Sequence, residues 1–289
     1  MKVTKVGKRG YVFSFDDPFL LNIYVIEGEK NIFFCDTGLG SETVNDILCY
    51  LTEQGIKSKP FIVFNSHADY DHVWGNHVFK DSTILAHELS PDIFLKEGEE
   101  ILDQYGAHKR GDVILTPPNK LFKDKCVYEE EGIEFYHTPG HTLESSSCYD
   151  RKEKALFVGD NIENPCPYIN FLNLEDYIAT LKEYLKRDAK VIISGHDEVM
   201  YDKQLIKTNL DYLEKLRKCA LDKSQFSKKQ RGIHYLNVTK LGDMLKKIGD
   251  TAKAKIYYSE ALEILEEMEK TPIIQSKIKG ISAILDDFT

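Results

Sequence analysis

The chain has 289 residues, 42% of them hydrophobic and 29% charged, a composition that supports a folded core and excludes a disordered chain or a mini-protein. Its 38 Lys and Arg residues against 47 Asp and Glu residues give a net charge of -9, so no general positive field favours nucleic acid as a partner. No apolar run approaches the roughly 20 residues that span a bilayer or forms a secretory signal, and we expect a soluble, cytoplasmic protein without a membrane partner.

Strand and helix patterns alternate through the first part of the chain. Two β-rich runs, 22–27 and 31–36, are joined by a Gly-Glu-Lys turn, which predicts a hairpin. A helix is predicted from Ser41, a residue type that favours N-caps, to a stop at Gly55. The apolar run 61–65 that follows is short enough for a buried strand.

The alternation continues to residue 194. Further strands are predicted at 82–86, 133–137, 146–149, 155–158 and 191–194. An amphipathic helix is predicted at 174–187. Residues 92–126 combine a helical beginning with glycines and a Pro-Pro pair, so we expect a lid or loop insertion there. These patterns predict a mixed α/β domain over residues 1–226.

After residue 194 the chain has helical patterns only, and residues 227–289 are predicted to form a separate helical extension. Helices are predicted at 203–221, 235–248, 251–268 and 273–287. Small and large residues within this part are spaced as in one tetratricopeptide repeat, which predicts a tetratricopeptide-like extension: Leu241, Gly242, Leu245, Gly249, Ala254, Tyr258 and Ala261. One such hairpin cannot cover its own apolar faces. We therefore expect either a homodimer through the C-terminal helices or packing of these helices on the α/β domain.

The six cysteines are widely spaced and include no Cys-x-x-Cys pair. They are expected to be free thiols rather than a disulfide framework or a zinc site. Cys166 lies between two prolines, and this predicts an exposed loop with an unreactive thiol.

The densest group of potential metal ligands follows the predicted strand 61–65. His67, Asp69, Asp71 and His72 form a His-x-Asp-x-Asp-His motif. Three more candidates each follow a β-type run: His141 in Pro-Gly-His-Thr, Asp160 in Gly-Asp, and His196 in Gly-His. Because neighbouring strands of a sheet can end at one edge, these seven side chains are candidates for one metal site.

With these motifs in this order, the chain resembles the metallo-β-lactamase-fold superfamily of metallohydrolases over about residues 10–222, including an Asp-Thr-Gly turn at 36–38. The resemblance implies a four-layer αββα sandwich with the metal site at one edge. It further implies two groups of ligands: His67, Asp69 and His141 for a first metal, and Asp71, His72 and His196 for a second. Asp160 would bridge the two metals.

Asp69 departs from the usual His-x-His-x-Asp-His motif of the family. A carboxylate is a harder ligand than imidazole, so the first position becomes more tolerant of iron or manganese and less specific for zinc. We expect two divalent ions, zinc or iron, with manganese as a further candidate. Their charge would be balanced by the three aspartates and a bridging hydroxide, which allows the cluster to be buried.

The functional hypothesis is a binuclear hydrolase of a small-molecule substrate. A bridging hydroxide, oriented by Asp71, would attack an ester, thioester, lactone or phosphodiester. Tyr70 and Tyr168 are candidates for substrate contacts. The alternative is a di-iron redox enzyme on the same fold, similar to flavodiiron proteins or sulfur dioxygenases, which Asp69 favours. Four other residues are assigned packing or surface roles: Trp74, His87, His108 and His234.

Overall fold

The computed structural model describes residues 1–56 and 58–288. Within those residues twelve strands form two sheets. The first sheet contains β1 (Lys2–Val6), β2 (Gly10–Phe15), β3 (Leu21–Glu27), β4 (Ile32–Cys35), β5 (Phe61–Phe64), β6 (Thr83–His87) and β7 (Lys120–Phe122). The second contains β8 (Lys125–Tyr128), β9 (Ile133–His137), β10 (Ser146–Asp150), β11 (Ala155–Phe157) and β12 (Val191–Ile193).

Strand direction explains where the predicted ligands lie. In the first sheet β1 to β4 are antiparallel, whereas β4, β5, β6 and β7 are parallel. In the second sheet only β11 and β12 are a parallel pair. The carboxyl ends of parallel strands share one edge of their sheet. The loops after β4 and β5 and the loops after β11 and β12 are therefore brought to common edges.

Eight α-helices complete the described part of the chain. They are α1 (Ser41–Glu53), α2 (Tyr70–Val73), α3 (Ser90–Tyr105), α4 (Leu174–Lys186), α5 (Gln204–Arg217), α6 (Lys228–Lys247), α7 (Thr251–Glu267) and α8 (Pro272–Asp286). Among them we find none with the length and apolar character needed to cross a bilayer.

The layers follow from the burial of both sheet faces. Between the sheets, Phe33 and Phe64 from the first sheet meet Phe135 from the second in one core cluster. On the outer face of the first sheet, α1 buries three apolar side chains: Val44, Ile47 and Leu51. On the outer face of the second sheet, α4 buries Ile178 and Leu181. The predicted αββα sandwich is confirmed.

The C-terminal helices extend the core on the α4 side of the sandwich. Ile233 and Val238 of α6 belong to the same buried cluster as Leu181 of α4 and Leu213 of α5. Helices α6 and α7 pack as a pair, and a Cβ atom on Gly242 would lie 3.0 Å from the Tyr258 ring, so the small residue allows the close approach. The helical extension is present, while the domain division at 226/227 and the tetratricopeptide assignment stay predictions.

Several sequence predictions need correction. Strands β1, β2 and β8 were not predicted, although residues 11–15 of β2 are rich in strand-forming types. Of residues 92–126, residues 92–105 belong to α3 and residues 120–122 form β7, while residues 109–119 have neither helix nor strand, so the loop is largely confined to this part of the range. Ser41 is the first residue of α1 and Gly40 is its cap, and the Ser41 hydroxyl accepts a hydrogen bond from the Asp112 amide at 2.8 Å. Cys166 is fully buried, and burial raises the pKa of its thiol to about 12.

Candidate metal centre

The seven predicted ligands converge at one edge of the sandwich. Their nitrogen and oxygen atoms form three overlapping groups, and within each group these atoms lie within 4.8 Å of one another. The groups are His67, Asp69 and His141; His67, His72 and Asp160; and Asp71, His72 and His196. The first and third groups are the two ligand sets that the sequence predicted.

Asp160 lies between these two sets. One carboxylate oxygen, Oδ1, is 3.3 Å from His72 Nε2. The other, Oδ2, is 3.1 Å from His196 Nε2 and 3.7 Å from His67 Nε2. A carboxylate with contacts on both sides has the placement that a ligand shared by two metals requires.

All four histidines direct Nε2 towards the centre, because each Nδ1 has a partner elsewhere. The four pairs are His67 with Ser66 Oγ at 2.9 Å, His72 with Asp36 Oδ2 at 2.7 Å, His141 with the Tyr168 carbonyl at 3.3 Å and His196 with the Leu20 carbonyl at 2.7 Å. A carboxylate or carbonyl accepts from Nδ1–H and so leaves the Nε2 lone pair free for a metal.

The donor atoms fit divalent metal ions. His67 Nε2, His72 Nε2 and Asp160 Oδ1 are buried and have no hydrogen-bond partner, an arrangement that costs free energy unless another group satisfies it. Imidazole nitrogens and carboxylate oxygens together suit zinc, iron or manganese. Metal ions in this position would satisfy all three atoms.

The carboxylates and the histidines of the centre stabilise each other's charged forms. Burial raises the pKa of Asp160, but the neighbouring His196 and His72 outweigh burial and hold that pKa well below its usual value. Burial lowers the pKa of His141, but Asp69 more than compensates and raises it to about 9. The raised pKa values of His72, His141 and His196 mean that protons on these three side chains balance the carboxylates in the metal-free protein, and divalent ions can replace those protons.

Asp36 is the main contributor that the sequence did not assign. It follows β4 with a positive φ of 68° and is fully buried. Its carboxylate accepts hydrogen bonds from the Ser66 amide at 2.7 Å, the Ser66 hydroxyl at 2.8 Å and His72 Nδ1 at 2.7 Å. The Asp-Thr-Gly turn was visible in the sequence, but only the parallel pairing of β4 and β5 places it beside His72.

Hydrogen bonds between the loops hold them in place around the centre. The Thr37 amide donates to the His72 carbonyl at 2.9 Å, and Asn76 exchanges hydrogen bonds of 2.9 and 3.0 Å with Asn65. A Cβ atom on Gly195 would lie 2.1 Å from Asp160 Oδ1. The Gly-His pair therefore needs its glycine because the chain passes directly against the shared carboxylate.

The centre opens to solvent on one side. The Asp69 side chain retains 39% of its accessible surface and His196 retains 19%, while the other five retain 10% or less. Tyr70 stacks on Tyr105 with ring centroids 4.7 Å apart, and its hydroxyl lies 2.9 Å from His108 Nδ1. His108, which was expected to be structural or on the surface, therefore belongs to the wall of the opening.

The remaining predicted neighbours have mainly packing roles. Trp74 is buried, and His87 is buried and stacked on His137 at 3.9 Å. His234 is buried between Tyr212 and Glu260, which lie 2.9 and 3.1 Å from its two ring nitrogens. Tyr168 is half-buried and contributes its carbonyl to His141. A small apolar cavity beside Asp69 and Tyr70 is lined by Val73, Trp74, Phe94, Ile101 and Leu115.

A family model described as the metallo-beta-lactamase superfamily matches residues 16–196. The chain is 24% identical over 209 residues to an N-acyl homoserine lactonase of Bacillus sp., covering 60% of this chain and 80% of the relative. It is 28% identical over 122 residues to a hydroxyacylglutathione hydrolase of Pelagibacter ubique, covering 40% of this chain and 41% of that one.

Solved structures show the same fold. A metallo-beta-lactamase from Pontibacter korlensis superposes with a TM-score of 0.58 at 16% identity, covering 74% of this chain and 98% of that chain. At this level of identity the likeness concerns the architecture alone.

Proposed function

Because the chain belongs to the metallo-beta-lactamase superfamily and is a metal-dependent hydrolase, we propose that it uses two divalent ions to hydrolyse a small ester, thioester, lactone or phosphodiester. The observation that carries this proposal is the convergence of seven His and Asp side chains, among which His67 Nε2, His72 Nε2 and Asp160 Oδ1 are buried without a hydrogen-bond partner. The lactonase among the relatives makes a lactone the first candidate.

The two metal positions follow the two ligand sets. His67, Asp69 and His141 would hold the first ion, and Asp71, His72 and His196 the second, with Asp160 shared. Two ions so held would lower the pKa of a shared water and polarise the carbonyl or phosphoryl oxygen of the substrate.

Asp71 is proposed to orient the attacking water. Its Oδ2 atom lies 3.3 Å from His196 Nε2 and 3.8 Å from His72 Nε2. Burial raises its pKa, but these two histidines have the larger combined effect and lower it. Asp71 is therefore ionised at neutral pH, and a carboxylate in this state can accept a hydrogen bond from water.

We propose that Tyr70 contacts the substrate where the centre opens to solvent. Tyr70 lies beside the exposed edge of Asp69, and burial together with Asp71 raises the pKa of its phenol, so the hydroxyl keeps its proton. The adjacent cavity is lined by apolar side chains from α2, α3 and the segment after α3.

The test combines metal analysis with an activity screen of the full-length protein. Protein purified without added metal is analysed for zinc, iron and manganese, and then assayed on lactones, thioesters, aryl esters and phosphodiesters. We expect two metals per chain and hydrolysis that Asp71→Asn reduces strongly in protein loaded with metal. Fully metal-loaded protein that hydrolyses none of the four classes would refute the proposal.

The same metal analysis addresses the di-iron alternative. Asp69 is the observation that favours it, because a carboxylate at the first position suits iron better than the usual histidine does. Two irons with a visible absorption band and no hydrolytic activity would support the redox enzyme, whereas colourless zinc protein with activity would support the hydrolase.

A further inference from the structure

One short loop segment contacts both the backbone and the imidazole ring of His141. Residues 167–170 lie between β11 and α4, and the Tyr168 carbonyl is 3.3 Å from His141 Nδ1. The Asn170 amide donates to the His141 carbonyl at 2.9 Å, and the Asn170 side chain lies 3.2 Å from His141 Nε2. Both the backbone and the imidazole of His141 are therefore positioned by this segment.

A side chain of the C-terminal extension is hydrogen-bonded to this segment on both sides of Tyr168. Asn237 of α6 is 1% exposed. Its Oδ1 atom accepts a hydrogen bond from the Ile169 amide at 3.0 Å, and its Nδ2 atom donates to the Pro167 carbonyl at 2.8 Å. These are the residues on either side of Tyr168.

The Asn237 side chain is itself fixed in orientation. Its Nδ2 atom also donates to the Tyr212 hydroxyl at 3.0 Å, and that hydroxyl lies 2.9 Å from His234 Nδ1. All hydrogen-bonding atoms of the amide group thus have partners, so its two ends cannot exchange without breaking three hydrogen bonds.

We propose that Asn237 is a positioning residue for the first metal position, and that α6 is thereby a functional part of the hydrolase. It acts through residues 167–170, by keeping the Tyr168 carbonyl aimed at His141 Nδ1. The inference rests on the proposed function in that His141 is taken to be a metal ligand. It assigns to the helical extension a role in the centre that is independent of any partner.

The test compares two neighbouring truncations in full-length protein. Asn237→Ala removes the hydrogen bonds to the segment, while Val238→Ala removes a buried side chain of α6 from the same core without a hydrogen bond to the segment. Hydrogen exchange of the Ile169 and Asn170 amides is measured in metal-free protein. Zinc affinity is measured by competition with a chromophoric chelator that resolves two binding constants.

We expect Asn237→Ala to accelerate exchange of both amides and to weaken one of the two zinc constants by about 10- to 100-fold, as is typical for partners of ligand side chains. Val238→Ala should lower thermal stability and leave both readouts unchanged. Equal effects of the two variants on exchange and affinity would overturn the inference. Asn237→Leu, which keeps the bulk of the side chain, provides the same comparison if the alanine variant does not fold.

A different result would refute the proposed function itself. Wild-type protein that binds none of zinc, iron and manganese would refute the metal centre, and amide exchange alone would then decide whether Asn237 fixes residues 167–170.

Discussion

Replacement of Asp36 by Asn tests how the protein sets the protonation of His72. The carboxylate accepts three hydrogen bonds, two from Ser66 and one from His72 Nδ1, but an amide has only one acceptor atom. Asn also tolerates the positive φ of 68° at this position. The variant therefore removes acceptor capacity and charge without a backbone conflict.

Either orientation of the new amide has a cost. If its oxygen faces His72 and the Ser66 hydroxyl, its NH2 group faces the Ser66 amide, and a buried N–H left unpaired costs about 1–3 kcal/mol of stability. If the amide is flipped, NH2 faces His72 Nδ1, which favours the tautomer with the proton on Nε2 and blocks the metal. We expect metal affinity to fall about 10- to 100-fold, or about 1.4–2.7 kcal/mol.

The assay is zinc competition with a chromophoric chelator, together with thermal unfolding of the metal-free protein. Asp150→Asn is the matched control, because Asp150 is also fully buried, accepts a hydrogen bond from Arg9 at 2.6 Å and ends β10 away from the centre. The control should lose stability and keep its metal affinity. If Asp36→Asn also loses only stability, the orientation of His72 does not depend on Asp36.

Four further predictions concern the metals and the assembly. Asp160→Ala should reduce both metal stoichiometry and activity sharply, because one carboxylate serves both positions; a variant that binds two metals as tightly as the parent would contradict the assignment. Asp69→His should shift metal preference towards zinc. Competition of iron and zinc for the metal-free protein measures this preference, and an unchanged preference or a shift towards iron would contradict the prediction. The pKa of His141 is about 9 without metal, and this side chain must lose its proton to bind a metal. Metal affinity at the first position should therefore fall about tenfold for each pH unit below 9. A metal-binding constant that does not change with pH would refute this. The homodimer stays a prediction: light scattering should find a dimer for the full chain and a monomer for Ile273→Lys, whose parent side chain is 69% exposed, whereas a monomeric parent excludes it.

Local patterns were sufficient for a mixed α/β domain and for the candidate ligands, whereas the αββα sandwich was implied by the family resemblance. The runs before His67 and Asp160 are short and apolar, and ligand-type residues immediately after such runs indicate the end of a buried strand. Hydrophobic alternation did not predict a strand where the alternation was weak. Strand β1 alternates little and is largely exposed, so its pairing with β2 emerges only from the folded sheet.

The contacts that orient the ligands were not predictable in the same way. Two of the four Nδ1 partners are backbone carbonyls, of Leu20 and Tyr168, and every residue has a carbonyl, so no side-chain pattern identifies them. Asn237 reaches Ile169 across 68 positions of sequence, and nothing in a helical pattern distinguishes it from a surface asparagine.

The sequence by itself determined which residues can bind metal, because ligand chemistry belongs to the side chain and motif spacing is local. Only the tertiary structure decided which atoms of those residues face the centre. Tautomer and ring orientation depend on acceptors such as Asp36 and the Tyr168 carbonyl, which come close only when the parallel strands share an edge and α6 packs on the sandwich.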